Sequence, residues 1–588
     1  MSGNTEHPNE NDLKNNTETI EQNNPAGGEQ EILIHPIDQD TNPLLLKYAS
    51  HNLFHLYIST LLLRSAFGTV MLLLPVYLNE IGQHGGPQYT KVEIGLIVGS
   101  YFIGEMTFVT IFGRLSDLMQ KRRPFIVWGN IIAAFSFAMF SLSNNFFVLF
   151  TAHIIEGIGA AMVIGPSLAL IGDSTTYNQR GAKMGLFDTV TFGGMAIGFL
   201  LGGIVYSLLG GAEKYGHWSF TILSSLLFFS AYYASKIIEP STKSWREEWQ
   251  IIKRFYRETI NHKFNIYGGI FVILFLWIMS AIQLTIAGSF DYLSMIKGEG
   301  LLPRFTMTLY AAALILLATG IIDWYFEVTF SAEEKQPLGG EEHSHMEEIM
   351  RAFKHKELRK ILPAWLLVMT IIGTVTTYLP IILNQGVGSP GETSTPTDDT
   401  VAHGYNALEI GIIFVVGMIL LGSMQYLFGK LADIWGRKPV LTIGLVSLVI
   451  MSVDVVYVVG FHPEYLRNFL SFPGIIFIAI GALATLGVAA FGPAALAILS
   501  DSSDSNNRGM SGGIYSFMMG LGEITGDVVG GVFWDLGDKY LGPRGGSFAV
   551  LFFIMILSFM AFLTVYNLKD LYSALTKGNK EKLELPTT

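Results

Sequence analysis

Fourteen times in 588 residues the chain sustains an apolar run of about 20 residues or more, the length an α-helix needs to cross a ~30 Å hydrocarbon core. The runs fall roughly at 53–78, 92–112, 125–143, 147–171, 185–209, 218–237, 265–287, 305–327, 361–383, 407–428, 440–460, 473–499, 511–533 and 547–567. No water satisfies a bare peptide group in hydrocarbon, so segments of this length must bond their own backbone as helices. The expected fold class is an all-α membrane protein. With 50% hydrophobic and only 14% charged residues, an ordinary soluble enzyme is excluded, and no catalytic residues are expected.

The net charge of −11 does not describe the membrane part. Nine acids against one lysine, Lys14, lie in residues 1–42, an Asn- and Glu-rich stretch without apolar periodicity that reads as a disordered tail. The tail has no apolar core of signal-peptide type, so the first span is expected to act as the insertion signal. With an N-terminus in the cytoplasm, 29 of the 37 Lys and Arg lie in or beside cytoplasmic segments, seven lie outside and Arg64 lies within a span. This asymmetry favours both termini in the cytoplasm of a cell whose plasma membrane holds the protein. The chain has no cysteine, and the loosely spaced His343, His345 and His355 do not make a metal site, so no metal or cofactor is expected.

One short pattern occurs twice, 316 residues apart. Glu93-Ile94-Gly95 is followed by Gly113-Arg114-Leu115-Ser116-Asp117 and Lys121-Arg122-Arg123-Pro124. Glu409-Ile410-Gly411 is followed by Gly429-Lys430-Leu431-Ala432-Asp433 and Gly436-Arg437-Lys438-Pro439. A second echo, at an offset of 328, matches Asp173 and Arg180-Gly181 to Asp501 and Arg508-Gly509. It continues with Gly194, Gly198, Gly202 and Gly203 against Gly522, Gly526, Gly530 and Gly531. Glycine at every fourth position makes a flat stripe on which another helix can lie. A weaker echo pairs Leu74-Pro75 and Asn79 with Leu379-Pro380 and Asn384. Three echoes in one order indicate a duplication.

A helix ending in a tight acidic-then-basic loop, repeated in both halves of a hydrophobic chain, resembles the signature of the major facilitator superfamily. The resemblance implies two six-helix halves that move a small molecule by alternating access. Residues 1–46 are then a tail, 47–240 the first half, 241–360 a linker with two extra spans, 361–567 the second half and 568–588 a second tail. The segments around Trp245 to Ile260 and Met346 to Lys360 have apolar residues at helical spacing and read as amphipathic helices at the inner membrane surface, or against the protein's own underside. The resemblance also implies that Asp117, with Gly113, Arg122 and Arg123, latches the eleventh core helix on the cytoplasmic side. Asp433, with Gly429, Gly436 and Arg437, would latch helix 5, and Arg180 and Arg508 are the partners expected. Gln120 stands where the second loop has Gly436, which predicts a looser first turn.

Ionisable residues inside spans each cost at least ~2.5–3.5 kcal/mol on insertion scales, which makes them functional candidates. Arg64 and Glu105 lie at similar depth in spans 1 and 2, as a buried ion pair would. His153 and Glu156 lie one turn apart in span 4; Glu523 and Asp527 share a face of the eleventh core helix; Asp188 reads as interfacial. The stretch from His153 to Ala161 resembles a helix-4 motif of proton-coupled members, with His153 and Glu156 in place of Arg and Gln. The Gly194–Gly203 stripe resembles that of antiporters, with Phe199 for the usual proline. Family architecture adds Thr374, Thr376, Thr377 and Tyr378 to the cavity lining. One Arg among several acids suits a lipophilic cation or a neutral compound better than a multivalent anion.

No glycine-rich segment ending in Gly-Lys-Ser/Thr is present, which argues against ATP drive. Proton-coupled export of lipophilic, cationic or neutral compounds by a monomer in the lipid bilayer is the favoured reading. Proton-linked or facilitated uptake of a sugar, organic acid or other nutrient is the alternative, and a non-transporting receptor the remote one. Small-molecule substrate and protons are the expected partners; nucleic acid is not.

Overall fold

The computed structural model describes residues 47–175, 177–239, 245–259, 270, 358–385, 404–462, 465, 470–501, 508–542 and 544–564. The extra spans 265–287 and 305–327, the second amphipathic segment and both tails lie outside them, but for Ile270, Leu358, Arg359 and Lys360. The elements formed by the described residues are all helices, with no strand among them. The first half consists of α1 (Ala49–Ile81), α2 (Lys91–Met119), α3 (Arg123–Met139), α4 (Phe146–Asp173), α5 (Tyr177–Leu208) and α6 (Trp218–Ser235). The linker helix α7 (Trp245–Thr259) follows. The second half consists of α8 (Leu358–Gln385), α9 (Ala407–Trp435), α10 (Arg437–Val455, continued by a π turn to Phe461), α11 (Phe472–Val488), α12 (Phe491–Asp501), α13 (Arg508–Leu541) and α14 (Gly545–Thr564). Nine helical segments among the described residues are long and apolar enough to cross a membrane, α11 and α12 counting as one. Of the rest, α3 has only 17 residues and α13 carries Glu523 and Asp527. The protein is an integral, multi-pass membrane protein.

The repeated Glu-Ile-Gly has a local cause. Thr90 and Asn406 are N-caps, and Glu93 and Glu409 three residues on return the bond, closing a capping box in each half. Thr90 N donates to Glu93 at 2.8 Å and Asn406 N to Glu409 at 2.8 Å. Ile94 and Ile410 are fully buried, and the glycines face the opposite half.

Inside each half, the glycine stripe of the fifth core helix lies on the first. A Cβ at Gly198 would collide with the Ser65 carbonyl, and one at Gly526 with the Thr370 carbonyl. At Gly194 it would reach Arg64 Cβ at 2.7 Å, and at Gly202 Thr69 Cγ2 at 3.2 Å. At Gly522 it would collide with Met369 Cβ, and at Gly530 it would lie 3.0 Å from Thr374 Cγ2. Thr69 Oγ1 donates to the Gly198 carbonyl at 3.0 Å, and Thr374 Oγ1 to that of Gly526 at 3.0 Å. Every partner in one half maps onto its counterpart in the other by the offsets of the sequence echoes. The duplication is thus also a pseudo-two-fold relation between contacts.

These contacts predict opposite outcomes for one chemical change. Gly198→Ala and Gly526→Ala force backbones apart and should each cost roughly 1–3 kcal/mol. A methyl added at Gly113 would meet nothing within 4 Å, and one at Gly429 only Pro493 at 4.0 Å. Alanine at these two positions should leave stability unchanged or slightly raised by helix propensity. Thermal unfolding of the four purified variants in one detergent checks this.

Candidate functional site

The halves meet along three helix pairs, α2 with α13, α5 with α9 and α1 with α8. At the first crossing a Cβ at Gly95 would collide with the Asp527 carbonyl, and at Gly531 it would lie 2.6 Å from the Lys91 carbonyl. At the second, Gly411 meets the Phe199 carbonyl at 2.6 Å and Gly203 that of Ala407 at 2.7 Å, measured the same way. All four contacts lie in the part of the seam remote from the basic loops, here termed the far end. Hydrogen bonds close this end further. Gln385 Nε2 donates to Asn79 Oδ1 at 2.9 Å and Asn384 Nδ2 to Glu80 Oε1 at 2.8 Å, two bonds related by the pseudo-two-fold. Asp535 accepts from the backbone N–H of Lys91 at 3.1 Å and of Val92 at 3.3 Å, capping α2 from the opposite half. A cavity of about 670 Å³ opens between the halves here, with Glu80, Glu213, Asn384, Asp538 and Arg544 on its wall.

Just inside this closure lie the intramembrane charges. Glu105, Glu523 and Asp527 are all buried. Asp527 Oδ1 accepts from Thr377 Oγ1 at 2.6 Å, while its Oδ2 has no partner and lies 3.1 Å from a methyl position on Gly99 of α2. Glu523 stands within electrostatic reach of Asp527, Glu105 and Arg64. Arg64 also acts electrostatically on Glu105 and on the exposed Asp188. The anticipated Arg64–Glu105 ion pair is not made: no carboxylate among the described residues comes within 4.0 Å of the guanidinium, whose Nε is unpartnered. Its Cζ lies 5.6 Å from the Phe67 ring, and a narrow pocket joins Arg64, Phe67, Tyr101 and Glu156. One cation shared among several acids replaces a pair.

His153 is buried, with ring contacts to Tyr101 and Phe140. Its Nδ1 is 2.8 Å from the Ile97 carbonyl, which can only accept, so Nδ1 carries a hydrogen. Nε2 then faces Glu156 Oε2 at 3.7 Å, an oxygen with no other partner. The expected threonine lining is corrected as well. Thr374, Thr377 and Tyr378 are fully buried and spent on helix contacts, and only Thr376 keeps partial exposure.

At the loop end Asp117 makes no ion pair with the other half among the described residues. Its side chain is 62% exposed and pairs with Arg122 of its own loop at 2.5 Å. Arg122 also reaches Asp173 at 3.2 Å and Ser116 at 2.8 Å. The looser turn expected at Gln120 is not found: it takes a left-handed conformation, φ 54°, and the chain folds back through Gln120 N to Asp117 O and Lys121 N to Ser116 O. Glu239 accepts from the N–H groups of Arg122 and Arg123 at 2.8 and 3.0 Å. Burial raises its pKa against the pull of these donors and of both guanidinium groups. Lys121 pairs with Glu248 of α7, which seats the first amphipathic helix on this loop. Gly436, φ 94°, takes the turn before α10 and Arg437 opens that helix; the side chains of Arg180, Asp433 and Arg508 lie outside the described residues.

Lys91, Asp535 and Glu80 give no signal in the sequence, since polar residues near helix ends look like ordinary interface anchors. Asp454 in α10 is another residue missed there; it is buried against Gly481 with Oδ1 unpartnered.

Two pseudo-symmetric helical halves, closed on each other at one end around buried charges, define a membrane protein of the two-domain carrier class. The family model for the Major Facilitator Superfamily matches residues 56–301, 285–462 and 396–585, and the chain belongs to that family, whose members are transporters and not enzymes. Among curated relatives, the quinolone resistance protein NorA of Staphylococcus aureus (strain MRSA252) is 26% identical over 231 residues, 39% of this chain and 56% of that protein. The class D tetracycline resistance protein of Salmonella ordonez is 30% identical over 146 residues, 25% of this chain and 36% of that one. The chain thus matches 56% of the length of the first of these relatives and 36% of the second. Among solved structures, the nucleoside transporter NupG aligns with a TM-score of 0.53 at 13% identity, over 88% of this chain and 99% of that one. A bacterial homologue of the human drug peptide transporters aligns with a TM-score of 0.56 at 12% identity, over 90% and 99%. These likenesses concern the fold.

The shared cation sets a prediction. Arg64→Met leaves several acids without their counter-charge and should cost roughly 1–3 kcal/mol. Glu105→Gln removes one acid of several and should leave stability unchanged or raise it. Paired thermal unfolding curves at neutral pH decide the order.

Proposed function

We propose that the protein is a secondary active transporter that exports a small lipophilic, cationic or neutral compound in exchange for protons, with both termini in the cytoplasm of the plasma membrane. The observation that carries this reading is the placement of Glu105, Glu523, Asp527 and Arg64 between the halves, just inside the closed far end. A carboxyl group there can take a proton or face a cationic substrate, but two neighbouring acids do not readily stay ionised together. Alternating access would present the group to each side in turn. The resistance functions in the names of the two curated relatives agree with export. In this reading the basic loops face the cytoplasm, and Asp117 and Asp433 engage the opposite half when that end closes. His153 and Glu156, bonded within the first half, form a second proton-holding pair.

Transport in proteoliposomes under an imposed pH gradient, screened over cations, sugars and organic acids, tests the reading. One proton exchanged per substrate gives up to ~10-fold accumulation per pH unit. The combined Glu156→Gln, Glu523→Gln and Asp527→Asn variant should lose accumulation and retain downhill exchange. Accumulation that persists in this variant removes the proton assignment. Asp117→Asn and Asp433→Asn should slow turnover at unchanged substrate affinity, and unchanged turnover in both removes the gating role.

A further inference from the structure

Lys91, the first residue of α2, has both of its backbone polar groups taken by the opposite half. Its N–H donates to Asp535 Oδ1 of α13 at 3.1 Å, and its carbonyl accepts from the Tyr378 hydroxyl of α8 at 3.0 Å. The same hydroxyl reaches the Asp527 backbone carbonyl. Space for it is cleared by three glycines on two helices. A Cβ would lie 2.5 Å from the Tyr378 oxygen at Gly95 and 2.6 Å at Gly531, and 2.6 Å from its ring at Gly530. Tyr378 is fully buried, and its one hydroxyl hydrogen is shared between a carbonyl of the opposite half and a carbonyl of its own half. The Lys91 ammonium adds a cross-half contact, 5.2 Å over the Trp534 ring. Thr377, the neighbour of Tyr378, holds the Asp527 carboxyl at 2.6 Å. One turn of α8 therefore touches both the acid and the first residue of α2.

We propose that the Lys91 backbone is the latch of the far end, clasped by Asp535 and Tyr378, and that Tyr378 is the positioning residue tying this latch to the helix turn that carries Asp527. A shift of α13 at Asp527 changes the carbonyl that competes with Lys91 for the one Tyr378 hydrogen, and so changes the hold on Lys91. The assignment of Asp527 as the sensed group rests on the proton-coupling reading; the latch itself does not.

The absence of cysteine allows a direct test. Ala407, buried at the other crossing of the seam, is replaced as Ala407→Cys, and maleimide labelling of this thiol is timed in lipid nanodiscs without substrate or pH gradient. Opening of the far end exposes it, so its rate reads the open population away from the mutated contact. Tyr378→Phe should speed labelling about fivefold, the factor equivalent to one hydrogen bond of ~1 kcal/mol. Asp535→Asn, which leaves the core untouched, should act in the same direction. Tyr77→Phe removes a hydroxyl whose bond to Asn144, 2.8 Å, stays within the first half, and should leave the rate unchanged. A wild-type rate in both Tyr378→Phe and Asp535→Asn overturns the latch, as does an equal acceleration in Tyr77→Phe. Since no transport is measured, the latch can fail or stand independently of the exporter reading.

Discussion

Peptide groups of opposite halves touch at two crossings, Gly95 on the Asp527 carbonyl and Gly411 on that of Phe199, and the depth and register of everything else in the seam follow from them. In lipid the apolar surface of a helix gains little by leaving its surroundings, so helices associate through close packing and polar contacts. Close packing at this distance requires that no Cβ intervene. Once Gly95 fixes α2 against α13, Lys91 falls beside Asp535 and Gly99 beside the Asp527 carboxyl. Once Gly411 fixes α9 against α5, the Phe199 and Phe414 rings meet at 5.2 Å and Ala407 seats on Gly203.

The scaffold is symmetric where it packs and asymmetric where it is charged. Positions related by the duplication carry the same or similar residues at the contacts: Gly198 and Gly526, Thr69 and Thr374, Gly95 and Gly411. The charged residues have apolar counterparts: Arg64 matches Met369, Glu523 matches Met195, Asp527 matches Phe199 and Glu105 matches Leu421. A duplicated pair of halves supplies two equivalent crossings, but only the α2–α13 crossing has acquired ionisable groups. The α5–α9 crossing has kept aromatic packing. Chemistry has thus been placed on one side of the pseudo-two-fold without disturbing the glycine contacts that position it, because charged and apolar side chains occupy equivalent places on the same helix faces.

Much of this is legible in the sequence for physical reasons. Helices that must span hydrocarbon announce themselves by length, and glycines spaced by four announce close packing, so the core helices and the α1–α5 and α8–α13 stripes follow from the residues. Glu93 and Glu409 stand out as repeated letters, although Thr90 and Asn406 three residues earlier already spell a capping box. What stays hidden is every property that depends on rotation about a helix axis across the seam. Similar depth suggests an Arg64–Glu105 pair; the helix faces instead give Arg64 to several acids and to Phe67. The hydroxyls of α8 are expected to meet substrate, whereas helix packing turns Thr374 and Tyr378 into interhelical bonds. Asp535 cannot be recognised because its partner is a backbone N–H 444 residues away in the chain, which has no side-chain signature.

The charge of the seam constrains what it can hold. Arg64 supplies one positive charge, and Glu105, Glu523 and Asp527 supply three negative ones when ionised, leaving two uncompensated negative charges where the dielectric is low. An unpaired charge in such a place is far costlier than a neutral acid, so carboxyls in apolar surroundings bind protons instead. Two protons bring the group to neutrality; so do one proton and one monovalent cation. In the proposed exchange, one cationic compound replaces one proton without changing the net charge of the site, and a neutral compound is held by the doubly protonated form. A multivalent anion would have to displace or overcome the same carboxylates with a single guanidinium in its favour, which the geometry around Arg64 does not supply.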